Sequence, residues 1–338
     1  MAAEKKSAPT LEDVAREAGV SLKTASRVLN GSLQVRPDKV ARIQAVMSRL
    51  GYRPNELARG LKAKRSSAIG MIVPRLSDPF YASAIEAVQQ VARENGYVVI
   101  VTSSANDQAL ERSEISTLVR RQVDGLIIAT ANGKHDNFSD ILPEGLQVIT
   151  IDEPIRGAAY DSVTVTNKQS AREATQHMID HGDRRIVAVV SRPYLHTCAE
   201  RLFGYTDAMK QAGLAPQHCV VDQEGSIERN RTVKDICADP KVEAIFTLNW
   251  VCTMLVLHGL KQAKKIGKDV RLISFDDFEL AEMLSPSLTV VRQPASELGR
   301  EAARLLLGRL NGDESEKSHR IVLPTQLVLR NSCGCHSR

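Results

Sequence analysis

Apolar positions in the first fifty residues recur with a helical period. Leu11, Val14, Ala15 and Ala18 follow i, i+3, i+4, i+7 spacing behind a Thr10/Asp13 capping arrangement, which predicts a short helix stopped at Gly19. Ala25, Val28 and Leu29 form a second stripe, capped by Ser21 and packed on Val14, Ala15 and Ala18 across a turn of about three residues. A third stripe, Val40, Ile43, Met47 and Leu50, begins after Pro37 and stops at Gly51. The pattern predicts a helix-turn-helix closed by a third helix. From Ala68 onward the pattern changes to apolar runs separated by helical stripes: AIGMIVP (68–74), YVVIVTS (97–103), VDGLIIA (123–129), LQVITID (146–152), RRIVAVVS (184–191), EAIFTLN (243–249) and VRLISFDD (270–277). Such runs predict parallel strands covered on both faces, a doubly wound α/β unit in two lobes.

Between the two patterns lies GYRPNELARGLKAKRSS. Pro54 can open a helix with Leu57, Ala58 and Leu61 on one face, but Gly60 costs about 1 kcal/mol and a helix of roughly ten residues is marginal in water. Arg53, Arg59, Lys62, Lys64 and Arg65 repel one another until phosphates neutralise them, so the expectation is a segment that folds on DNA. Charge supports this. Residues 1–66 carry 14 Lys and Arg against 6 Asp and Glu, a net +8, while the rest of the chain nets −3. A positive excess confined to one folded block is the footprint of phosphate binding. On the second helix Leu22 and Lys23 then face base edges and Arg27 reads a base or clamps a phosphate, with Thr24 and Ser26 as short hydroxyl donors to phosphate.

Composition narrows the remaining classes. At 338 residues and 43% hydrophobic the chain can bury several sizeable cores, no apolar run approaches the roughly 18 residues that cross a bilayer, and MAAEKKSAPT lacks a signal-peptide core, so a cytoplasmic location and no membrane partner are expected. The six cysteines are scattered and read as reduced thiols. Cys333-Gly334-Cys335-His336 hints at metal but lacks a second ligand pair in the sequence, so it reads as a surface tail and no metal is expected. There is no glycine-rich dinucleotide fingerprint, P-loop, G-x-S-x-G or H-E-x-x-H, hence no reason to expect an enzyme or a cofactor.

Ligands of doubly wound sheets bind beyond the carboxyl ends of the strands. Those ends carry Asp78 and Phe80, Asp152, Arg201 shortly after a strand, Asn249 with Trp250, and Asp276 with Asp277. Carboxylates, an Arg fork and an amide beside aromatic faces suit a ligand rich in hydroxyls. Adjacent residues at a strand end point apart, which argues against Asp276 and Asp277 as a catalytic acid and base.

The stretches TLEDVAREAGVSLKTASRVLNG and VRPDKVARIQAVMSRLGYRPNELARGLKAKRS closely resemble the DNA-binding headpiece and hinge of the lactose-repressor (LacI/GalR) family of bacterial transcriptional regulators. LSDPFYASAIEAV, ITIDEP, CAERLFGYTDAM, LISFDDFELAEMLSPSLTVVRQP and ELGREAARLLL resemble the effector-binding core of the same family, a relative of periplasmic sugar-binding proteins. The resemblance implies a helix-turn-helix domain at 8–53, a hinge at 54–66, and a core at 67–332, with one lobe about 67–166 and 294–323 and the other about 167–293 and 324–332. It implies major-groove reading by Leu22, Lys23 and Arg27, and minor-groove entry of a hinge helix bearing Ala58 and the wedge Leu61. Thr10, Ser21, Thr24, Ser26, Asn30, Tyr52 and Asn55 complete the DNA-contact set. Phe80, Asp152, Arg201, Asn249 and Asp276 match the family's effector pocket. This chain departs from the family in Glu56 within the hinge and in Trp250, where the family has Asp after the Asn. Trp250 is counted as a candidate ligand contact that adds a stacking surface.

The expectation is therefore a repressor of carbohydrate uptake or catabolism genes, controlled by a sugar-like effector. The chain lacks the leucine heptad tail of family tetramers, so a homodimer on a pseudo-palindromic operator is expected. A purine, nucleoside or phosphosugar effector and a sugar-modifying α/β enzyme are the alternatives.

Overall fold

The computed structural model describes residues 9–29, 34–52, 66–131, 138–155, 159–221, 231–265, 270–312 and 318–335. Asn30, the expected hinge residues Asn55, Ala58 and Leu61, and His336 lie outside the described residues. The chain divides into two compact units, Met1–Ser66 and Ser67–Arg338.

The first unit holds α1 (Leu11–Glu17), α2 (Leu22–Leu29) and α3 (Pro37–Leu50). Both arms of the capping box form: the Asp13 N–H donates to Thr10 Oγ1 at 3.2 Å and the Thr10 N–H to Asp13 Oδ2 at 3.0 Å. Ser21 Oγ accepts from the Thr24 N–H at 3.2 Å and so opens α2. Val14, Ala18, Ile43 and Val46 make the core, with Leu11, Val20, Val28, Met47, Leu50 and Tyr52 packed against it. Two details differ from the expected stripes. Val46, rather than Val40 or Met47, is the second fully buried position of α3, since Ile43 and Val46 stand three apart on the line that faces both other helices. Leu29 is only half-buried and outside the cluster, so Ala25 and Val28 alone seat α2.

In the second unit β1 (Ala68–Val73), β2 (Val98–Ser103), β3 (Gly125–Ile128), β4 (Gln147–Ile151), β5 (Asp161–Val165) and β11 (Arg320–Leu323) form a parallel sheet in the order β11-β5-β4-β3-β1-β2. A second sheet, β12-β10-β9-β8-β6-β7, contains β6 (Ile186–Ser191), β7 (Gln217–Val221), β8 (Ala244–Thr247), β9 (Arg271–Phe275), β10 (Thr289–Arg292) and β12 (Gln326–Val328). It is parallel except for β12, which runs antiparallel to β10. One face of the first sheet packs on α4 (Pro79–Glu94) and α10 (Ala295–Leu310), and the other on α5 (Gln108–Arg120). The second sheet lies between α6 (Asn167–Asp180) with α7 (His196–Gln211) and α8 (Arg231–Ala238) with α9 (Trp250–Gln262). Among the described residues no helix is long and apolar enough to cross a membrane.

All seven apolar runs became strands, and among the described residues five further strands appeared. Of these, β7, β11 and β12 lie at sheet edges and are partly exposed, and β5 (DSVTV) and β10 (TVVR) are interrupted by polar residues, so none carries a continuous apolar run. The chain passes between the sheets three times, from β5 to α6, from β10 to α10, and from β11 to β12. Each lobe has a helix pair drawn together at a glycine. A Cβ on Gly299 would sit 2.3 Å from the Ala84 carbonyl oxygen, and one on Gly204 would sit 2.1 Å from that of Lys168.

Residues 331–335 are not a surface tail. Asn331–Cys333 forms a 3₁₀ turn whose Ser332 and Cys333 are buried, with Cys333 1% exposed. Ser332 Oγ donates to the Leu272 carbonyl at 2.6 Å and accepts from the Thr289 N–H at 2.8 Å, which ties the turn to β9 and β10.

Candidate effector cleft and DNA-facing helix

Strand ends from both sheets converge on one cleft. Its lining includes Asp78, Phe80, Tyr81, Asp152, Glu153, Arg192, Arg201, Asn249, Asp276 and Gln293, and its accessible volume is about 80 Å³. That is below the several hundred Å³ of a drug-sized ligand site, so the lobes stand close together. A larger hollow of about 730 Å³ beside α9 is lined mostly by Leu, Val and Pro side chains. It lacks the convergent charged groups of the cleft.

The two lobes contribute equivalent aspartates. Asp152 follows β4 and Asp276 follows β9; the N–H of each donates at 3.0 Å to the adjacent strand, at Val163 and Val291 respectively. Both adopt left-handed backbone, with φ of 61° and 82°. Non-glycine residues seldom hold that conformation, and when held it aims the side chain off the strand axis.

Asp152 Oδ2 accepts from the Tyr81 hydroxyl at 2.7 Å, and its Oδ1 stands 3.9 Å from the Arg201 guanidinium. Arg201 is 3% exposed and held from several sides. It donates to Asn167 Oδ1 at 2.7 Å and to the Leu248 carbonyl at 2.9 Å, and stacks 3.8 Å over the Phe275 ring. Asp276 accepts from the Trp250 N–H at 2.9 Å and from the Gln293 amide. Asn249 caps α9, accepting from the Cys252 N–H at 3.0 Å and donating to Ser191 Oγ at 2.6 Å. Asp277 points away and pairs with Arg292 at 2.7 Å and Arg330 at 3.0 Å, so the adjacent aspartates do point apart.

Burial dominates the electrostatics. Asp78 caps α4 through the Phe80 N–H at 3.0 Å, and burial together with the charge of Asp276 pushes its carboxyl up to about 7. Burial also pushes Glu153 to about 7, although it accepts from the His196 and Thr197 N–H groups. Asp152 is raised by burial against the opposing pull of Arg201 and Tyr81. Asp152 Oδ1, Arg192 Nη1 and Gln293 Oε1 are buried without a hydrogen-bond partner among the described residues. Buried polar atoms are seldom left so, and these three are unspent capacity for a polar ligand.

Five of the six expected pocket residues line this cleft. Trp250 does not: its contribution is a backbone N–H, and Val251 takes the lining position. Sequence reasoning missed Tyr81, Glu153 and Arg192, each one residue beyond a position already singled out or a strand end, which was the available signal.

In the first unit Ser21, Leu22, Lys23 and Arg27 are exposed on one side of α2, with Leu22 45% exposed. An exposed leucine on a helix whose opposite face is already buried is not explained by folding. Thr24 and Ser26 are half-buried, Thr10 serves the α1 cap, and Tyr52 packs on the core.

A two-lobed α/β core with a polar interlobe cleft, on a chain that also carries a helix-turn-helix unit, is the architecture of a ligand-responsive DNA-binding regulator. Residues 10–55 match the model of bacterial regulatory proteins of the lacI family, and residues 175–333 match a periplasmic binding protein-like domain. Catabolite control protein A of Priestia megaterium is 31% identical over 96% of this chain and 98% of its own length. The chain belongs to the LacI family. Among solved structures, a complex of the transcriptional regulator CelR with cellobiose is 29% identical with a TM-score of 0.68, covering 96% of this chain and 99% of that one. The lac repressor dimer bound to operator and the anti-inducer ONPF shares the fold, with a TM-score of 0.83 at 22% identity over 96% of this chain and 99% of that one.

Proposed function

We propose that the chain is a cytoplasmic homodimeric repressor that binds a pseudo-palindromic operator and is controlled by a sugar-like effector in the interlobe cleft. It works by binding rather than by turnover. Leu22, Lys23 and Arg27 read the major groove from the exposed face of α2, and Leu22 is suited to a thymine methyl. The observation that carries the effector class is the convergence of Asp78, Asp152, Arg201, Asn249 and Asp276 around the buried Asp152 Oδ1, Arg192 Nη1 and Gln293 Oε1, none of which has a hydrogen bond among the described residues. Acceptors and a cation around a half-polar cavity match vicinal hydroxyl groups with one ring to cover an apolar face, and the Phe80 ring supplies that cover. CelR, a family member, is seen with cellobiose. The effector shifts the lobe equilibrium, and with it the affinity for operator.

The experiment is selection of DNA from a random library by the full-length chain, followed by a thermal-shift screen of sugars, sugar acids, sugar phosphates and nucleosides. An inverted-repeat operator whose sequence changes when Leu22 and Lys23 are substituted together, and a sugar that raises the melting temperature and changes operator affinity, are expected. Enrichment of no sequence over random DNA at physiological salt would end the regulator reading. A nucleoside as the only stabilising compound would replace the effector class.

A further inference from the structure

We propose that His177 of α6 and His181, the C-cap that follows it, form with Cys333 and Cys335 a four-ligand site for a thiophilic divalent ion of the zinc class. Cys335 Sγ lies 3.2 Å from His177 Nε2, 3.3 Å from His181 Nε2 and 2.9 Å from Cys333 Sγ. The ligand atoms of His177, Cys333 and Cys335 all fall within 4.8 Å of one another. Around a tetrahedral zinc, sulfur–nitrogen edges of about 3.5 Å and a sulfur–sulfur edge of about 3.8 Å follow from the usual bond lengths. The two histidine contacts already match to within a few tenths of an ångström. The cysteine pair opens by less than about 1 Å, and His181, which reaches the group through Cys335 and lies outside the set of atoms within 4.8 Å of one another, swings inward to complete the figure.

The surroundings are built for ligation. The histidines stand four apart at the end of one helix, so their rings lie on one face, with centroids 4.3 Å apart. His181 Nδ1 lies 2.8 Å from the His177 carbonyl and donates to it, leaving Nε2 with a free lone pair; backbone carbonyls orient metal-ligating histidines in this way. Gly334 has φ of 85°, which turns the chain so that the flanking thiols face the same side. Ser332 anchors the turn to β9 and β10, and Arg271, paired with Asp183, lies against Gly334. Two thiolates and two neutral imidazoles neutralise a divalent cation, and the donor set is the soft nitrogen–sulfur type that selects zinc over magnesium or calcium.

The ion staples the end of α6 to the turn at Asn331–Cys333 and the Cys335 that follows it. The other end of α6 carries Asn167, which accepts from Arg201 in the cleft. The two sites therefore share one rigid helix of 14 residues, about 21 Å long.

The test uses the full-length chain, reduced and stripped with chelator, titrated with cobalt(II) and then zinc(II). One cobalt per chain is expected, with the visible bands of tetrahedral coordination and a thiolate charge-transfer band, all displaced by one zinc. Cys335→Ser should abolish the charge-transfer band or halve it. His181→Ala, at an exposed position that leaves the fold intact, should weaken binding at least about tenfold. Cys219→Ser, in β7, should change nothing. Zinc should raise the melting temperature of the parent and not of Cys335→Ser. Absence of a thiolate–cobalt band in the reduced protein, or a band indifferent to both site variants, overturns the proposal. A Cys333–Cys335 disulfide that resists reductant and excludes cobalt overturns it equally.

Discussion

Asp78→Asn isolates the electrostatic state of the cleft. Asp78 is half-buried, faces Asp152 and Asp276, and titrates near 7 in the folded protein against 3.8 for the free carboxyl. Between those values the folded state holds a proton that the unfolded chain has lost. Stability therefore falls as pH rises through this window, and the full penalty is present above it. A displacement of this size corresponds to about 4 kcal/mol, and residual solvent on one side of the carboxyl reduces the expectation to about 2 kcal/mol. Asparagine is nearly isosteric and keeps the α4 cap, because its Oδ1 accepts from the Phe80 N–H as the carboxylate does. Urea or thermal unfolding of the parent and Asp78→Asn at pH 5 and pH 8 measures the difference. The variant should be more stable at pH 8, by a melting shift on the order of 5 °C, with a clearly smaller gain at pH 5. An equal gain at both pH values, or a loss at pH 8, would refute charge repulsion and burial as the origin of the raised carboxyl.

Gly204→Ala places a Cβ 2.1 Å from the Lys168 carbonyl and must prise α6 from α7, a loss of about 1–3 kcal/mol in chemical denaturation. Gly213→Ala meets no neighbouring atom but inherits φ of +71°, and should lose only about 1 kcal/mol. Tyr81→Phe removes the donor to Asp152 Oδ2 and should weaken effector binding about tenfold in calorimetry while the variant stays folded. Thr10→Ala removes the α1 cap and should destabilise the first unit by about 1 kcal/mol, read from amide exchange in that unit and leaving the second unit unchanged.

The helix-turn-helix was legible because its signals are local. A capping box, a helical stripe and a glycine stop act within four residues of one another, and α1 meets all three where they were expected, while the stripes of α2 and α3 depart from expectation at Leu29 and Val46. Six of the seven strands were legible for a similar reason, since a strand covered on both faces must be apolar throughout, while β2, at a sheet edge and only partly covered, is apolar all the same. Edge strands β7, β11 and β12 were not, because their residues answer to what covers them rather than to their neighbours in sequence.

At the cleft, the sequence alone determined which strand ends carry polar chemistry, and five of the six residues it singled out line the cavity. Which way each points was decided by tertiary structure. Trp250 shares its position with a lining residue yet offers only its N–H, and Asp276 turns inward while Asp277 turns to Arg330, because helix entry and left-handed backbone set direction independently of residue type. The carboxyl-terminal cysteines are the clearest division. Read along the chain they lack a second ligand pair, and that pair stands more than 150 residues earlier at the end of α6, where only the packing of β9, β10 and the final turn brings it within bonding reach.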